Sequence, residues 1–142
     1  MLWIKTFFGI LFQTLLLGIF LYLPALTLNW SDAFLLLTIH FLMTILASAY
    51  LLIVKPESIE ARMNYDSKTQ PKEDRLATAL MFSAIIVGLS LAPIDIFHLN
   101  LSSSFEGSIK NIGLAIYIIG MLLFMASMNA NEFAETLSLI HI

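Results

Sequence analysis

The chain has 142 residues, 59% of them hydrophobic and 12% charged, with a formal net charge of −3. Its apolar residues lie in runs too long for the core elements of a soluble domain. The seven Lys and Arg form no basic stripe suited to nucleic acid, and the absence of cysteine excludes a disulfide framework, a thiolate metal site and a cysteine nucleophile.

A membrane span needs about 20 mainly apolar residues, and four stretches qualify. The first is residues 6–28, "TFFGILFQTLLLGIFLYLPALTL". Lys5 ahead of it resembles the start of a signal peptide. The run is longer than the h-region of such a peptide, however, and no A-x-A pattern follows, so it is expected to stay as an anchor. The second span is residues 33–54. A charged loop follows at 55–75, then a third span at 76–97 and a fourth at 109–129. The expected fold is an all-α integral membrane protein with four transmembrane helices, because lipid offers the backbone no hydrogen-bond partners. Pro24 and Pro93 fall in the last turns of their spans, where a missing N–H is tolerated and a bend is expected.

Lys and Arg set the orientation. Lys55, Arg62, Lys68, Lys72 and Arg75 crowd the loop between spans two and three. The first loop, "NWSD", has no basic residue, and "HLNLSSSFEGSIK" has only Lys110. Both termini and the charged loop are therefore expected in the cytoplasm. Trp3 and Trp30 mark opposite ends of the first span, as interfacial aromatics do.

Within the loop, "KPESIEARMNYDSKTQPKEDR" places Pro56 where a helix can start, with acids in the first turn. Ile59 and Met63, four apart, give it a small apolar face. A short surface helix breaking at "NYDS" is one expectation, and a solvated connector is the other. Ala84, Gly88 and Ala92 recur every four residues on span three, a stripe along which another helix can approach or beside which a lipid chain can run. Gly113 and Gly120 make a weaker groove on span four.

Chemistry is sparse. The three histidines are His40, His98 and His141, and none forms an i, i+4 metal-binding pair. No phosphate-cradling glycine pattern occurs. Intramembrane polar groups are costly, so His40, Gln13 and Asp95 stand out. His40 is expected to bond a neighbouring helix in preference to relaying protons, Gln13 to join helices, and Asp95 to be structural near the surface.

From the second span onward the chain resembles the isoprenylcysteine carboxyl methyltransferase family of bacterial membrane enzymes. The likeness rests on the Pro-Glu pair at Glu57 with Arg62 a few residues on. It continues with the Asp-Arg pair Asp74 and Arg75, with "APIDIFH" ending span three, and with Asn131 and Phe133 in "MNANEFAE". It covers roughly residues 51–135. The resemblance implies S-adenosylmethionine as cofactor, membrane lipid surroundings, a lipid-like or prenylated methyl acceptor and a bacterial inner membrane. It also implies site-shaping roles for Glu57, Arg62, Asp74, Arg75, Asn131 and Phe133 at the cytoplasmic face. The chain departs from the family pattern in having no Arg-His-Pro cofactor core. It also lacks the tryptophan beside the Asp-Arg pair, where Glu73 stands.

The last six residues, "LSLIHI", match one frame of the mosaic-end adapter used in transposase-based DNA library preparation. Residues 137–142 are therefore read as non-native, residues 1–136 as a membrane-domain fragment, and the gene as continuing past Thr136. The functional expectation is the membrane half of an S-adenosylmethionine-dependent methyltransferase, which by itself neither binds the cofactor nor turns over. The alternative is a non-catalytic four-helix scaffold or partner protein. A proton-coupled transporter fragment using His40 is a third.

Overall fold

The structure, a computed structural model, describes residues 2–63, 72–101 and 107–130. These residues form helices and no strand. Helix α1 is Leu2–Ala25, α2 Ser31–Val54, α3 Pro56–Met63, α4 Lys72–Ile94 and α5 Gly107–Ala130, with a π-helical turn at Asp95–Leu99 closing α4. Four stretches are long and apolar enough to cross a membrane: Leu2–Ala25, Ser31–Val54, Arg75–Leu99 and Gly107–Asn129.

Helix α1 stops three residues short of the expected Leu28. Leu26 takes the left-handed conformation, φ 54°, and its N–H reaches back to the carbonyls of Tyr22 and Leu23 at 3.1 and 3.3 Å. That is how a helix satisfies its last carbonyls, and Pro24 in the final turn assists the stop. The apolar run continues through Leu28, but the helix does not, since apolarity reports burial in lipid and not backbone state.

A proline also divides α2 from α3. The residue before proline avoids helical dihedrals, and Lys55 sits at φ −144°, ψ 64°. Pro56 then opens α3, where its missing N–H costs nothing. The short helix expected in the charged loop is present, and Ile59 on it is buried against Leu51 and Leu52, with Leu2 and Met128 packed alongside. The expected break at "NYDS" lies outside the described residues.

The long helices are arranged as a row. Helix α1 packs on both α2 and α4, and α2 packs on α5. Contacts at the helix ends show that α1 and α4 run one way while α2 and α5 run the other. Two ends can be distinguished: an α3 end, carrying Leu2, Lys55 and α3, and a Trp30 end. Close approach within the row occurs at Gly18, where an added Cβ would lie 3.5 Å from Leu37 Cδ1. Among the described residues no helix packs on the expected stripe of Ala84, Gly88 and Ala92. Gly88 has nothing within 4 Å of an added Cβ, nor do Gly113 and Gly120. Helix α4 does pack on α1, and its less exposed positions, Leu89, Ser90, Pro93 and Ile94, lie beside the stripe, with Pro93 fully buried. Small residues permit close approach but do not compel it.

At the Trp30 end, aromatic rings lock the row. Trp30 meets Tyr22 and Phe97 edge-on, with centroids 6.3 and 5.3 Å apart, and the Tyr22 hydroxyl donates to the Trp30 carbonyl at 3.2 Å. Following buried Pro93, α4 widens into its π-turn. Asn100, left-handed at φ 50°, donates its N–H five residues back to Asp95 O at 2.7 Å, and Leu101 N–H donates to Asp95 Oδ1 at 2.9 Å. Asp95 thus caps the turn, in keeping with a structural role. Along the spans, Thr6, Thr14, Thr38 and Thr44 donate their hydroxyls to the carbonyl four residues earlier. Each hydroxyl is thereby satisfied without water.

Candidate functional site

One hollow, about 630 Å³, is a shallow groove on α1 near the Trp30 end, lined by Leu15, Gly18, Ile19 and Leu37 among others. It gathers no titratable group except the Tyr22 phenol, already bonded to Trp30, and gives chemistry little to work with.

A smaller cavity is more selective. It occupies 400 Å³ among α1, α2, α3 and α5, and runs from Lys5, Ile59 and Met63 at the α3 end up to Gln13 and His40. Four of the chain's seven methionines line it: Met63, Met121, Met125 and Met128. Methionine is unbranched and polarizable, so such a wall adapts to a flexible apolar chain. The Thr6 hydroxyl contacts Met63 Sδ at 3.9 Å and links α3 to α1. Lys55 Nζ donates to the Asn129 carbonyl at 2.9 Å and links the end of α2 to the end of α5. The polar positions facing the cavity are Lys5, Thr6, Gln13, His40, Thr44 and Ser48, with no carboxylate among them.

His40 sits at the inner limit of this cavity, 7% exposed. Its Nδ1 lies 2.6 Å from the Tyr117 hydroxyl of α5, and its Nε2 is buried with no partner among the described residues. The histidine does bond a neighbouring helix, as expected. Its partner is a phenol rather than an acid. On the far side of Tyr117 lies a second cavity of 510 Å³, lined by Trp30, Asp32, Leu36, Lys110, Gly113 and Tyr117 among others. At its edge Lys110 Nζ meets Asp32 Oδ2 at 2.6 Å.

The residues singled out by family resemblance are placed as follows. Glu57 is exposed on α3, and Arg75 is exposed near the start of α4. Arg62 and Asp74 belong to α3 and α4, but their side chains lie outside the described residues, as do Asn131 and Phe133 entirely. Glu57 and Arg75 do not line the cavity. Gln13, expected to join helices, lines the cavity wall and is exposed. The described residues hold no group of three or more His, Cys, Asp or Glu able to bind a metal ion.

Sequence reasoning missed Tyr117, Lys5 and the methionines. Met121, Met125 and Met128 do carry a signal, since i, i+4, i+7 spacing puts them on one face of α5. Comparison with family models, with curated proteins and with solved structures finds no match.

Proposed function

We propose that these four helices form the acceptor-holding part of a membrane methyltransferase of the isoprenylcysteine carboxyl type. The α3 end faces the cytoplasm, and the methyl acceptor's apolar chain lies in the methionine-lined cavity. The observation that carries this reading is the 400 Å³ cavity, which reaches the end where the Pro-Glu helix stands and has Ile59 and Met63 of that helix in its lining. That volume is of the order that holds one small or chain-like ligand. An apolar chain held between helices would fix its polar end near the mouth. Alignment of that end is the larger part of what a methyl transfer asks of a protein.

The described residues do not fit the methyl donor itself. S-adenosylmethionine is a sulfonium cation with ribose hydroxyls that seek acceptors, whereas the cavity supplies the Lys5 cation, thioethers and no carboxylate. The donor is therefore assigned to a segment outside these helices, and the helices' own task is to bind, orient and exclude water.

Reading the source DNA beyond codon 136 tests the proposal. An open frame carrying an Arg-His-Pro-like motif supports it, and a stop codon in that place overturns it. Equilibrium binding of S-adenosylmethionine to purified residues 1–136 would contradict the division of labour. A second reading, a non-catalytic membrane scaffold, draws on the open stripe at Ala84, Gly88 and Ala92, which leaves room for a partner helix. Co-purification of a stoichiometric membrane partner lost on G88L would favour it.

A further inference from the structure

We propose that a second copy of this chain closes the open side of the methionine-lined cavity, α1 against α1, with the two Gln13 carboxamides hydrogen-bonded to each other at the middle of the membrane. The pairing would stand whatever the cavity carries and does not depend on methyl transfer. Helices α1 and α5 each pack on α2, and the space between them is a cleft open along its side, with Gly9, Gln13 and Phe124 all exposed. One wall of an enclosed seat is missing from the single copy.

Lys5, Gly9 and Gln13 follow one another at four-residue intervals, so they share one face of α1, and all three line the cleft. Gln13 stands midway along the 24 residues of α1 and has no hydrogen-bond partner among the described residues. Across the cleft, buried His40 likewise leaves Nε2 unpartnered among them. Hydrocarbon offers such groups nothing to bond, so a lipid chain filling the opening would satisfy neither.

A second copy supplies the missing partner through symmetry. Two copies inserted the same way cross the membrane at the same level, and a two-fold axis along the membrane normal sets each contact residue opposite itself. A carboxamide carries both donors and an acceptor, so each Gln13 can donate N–H to the carbonyl oxygen of the other. Gly9, one turn away, has nothing within 4 Å of an added Cβ and lets the two backbones approach. Lys5, two turns toward the α3 end, extends to the headgroup layer, where the two ammonium groups can part. The rival stripe of Ala84, Gly88 and Ala92 has no hydrogen-bonding side chain to match.

The test labels the full chain at its amino terminus with donor or acceptor dye, mixes the two in lipid vesicles and follows energy transfer as lipid is added. Wild type should pass from dimer to monomer on dilution. Gln13→Leu should weaken pairing about tenfold, with part of the loss restored by Gln13→Asn. Gly9→Leu should weaken it by blocking approach. Both positions are exposed, so neither change disturbs the packing within one copy. Gly88→Leu should leave pairing unchanged. In this cysteine-free chain, mild oxidation should link Gly9→Cys as a disulfide dimer and leave Leu15→Cys, on the far side of α1, unlinked. A chain monomeric at every dilution, a dimer as tight in Gln13→Leu and Gly9→Leu as in wild type, or a dimer dissolved by Gly88→Leu alone would each overturn the proposal.

Discussion

His98 donates from Nε2 to the carbonyl oxygen of Pro24 at 2.7 Å, joining the π-turn of α4 to the last turn of α1. That carbonyl is one of the four a helix leaves without an internal partner at its C-terminus. The histidine at the Trp30 end of span three thus completes a different helix. His98→Ala should lower stability by about 0.5–1 kcal/mol, measured by reversible unfolding in mixed micelles. An unchanged midpoint would show that water serves Pro24 equally well.

Among the described side chains of α3, Ile59 alone lies within the buried cluster at the α3 end. Ile59→Ala should cost about 2 kcal/mol and Ile59→Asp more, because the short helix has little else to hold it. Limited proteolysis between α2 and α4 would quicken in both variants. Equal cleavage rates in wild type and Ile59→Asp would mean that α3 does not depend on this contact.

Gly18 and Gly88 make a paired test of helix packing. Gly18→Leu would press into Leu37, which already lies at van der Waals distance from an added Cβ, and should cost about 1–3 kcal/mol. Gly88→Leu meets open space and should stay within about 0.5 kcal/mol of wild type in isolated protein. The reverse order of effects would mean that the row packs through the stripe after all.

Because the chain contains no cysteine, single cysteines report orientation without background. Glu57→Cys should react with an impermeant maleimide only from the cytoplasmic side, and Asn29→Cys only from the opposite side. The opposite pattern would invert the topology and count against the proposed orientation of the α3 end.

The Lys110–Asp32 contact joins two side chains that are both about half exposed, at 53% and 52%. Such pairs contribute little, so Asp32→Asn should change stability by less than about 0.5 kcal/mol. A larger loss that shrinks with added salt would point to a more protected pair.

The spans were legible in sequence because a lipid-crossing helix must be a long apolar run, and that constraint acts locally. The start of α3 was legible for a similar reason, since Pro56 and the Ile59–Met63 spacing lie within two turns. What escaped was long-range. His40 finds its partner 77 residues away, and nothing around Tyr117 marks it as a ligand for an imidazole. Gly18 was not singled out because its neighbours four residues away are Thr14 and Tyr22, which form no small-residue pattern. The cavity depends on three helices and a loop element converging, a property that no single segment encodes. Of the family-pattern residues, the two with described side chains, Glu57 and Arg75, stand at the α3 end without facing the cavity.

The bond from Lys55 to the Asn129 carbonyl has a topological corollary. It stakes the exit of the last long helix beside the proline that begins the amphipathic one. Met128, one residue before that carbonyl, walls the greasy compartment, so whatever loosens Lys55 would also shift that wall.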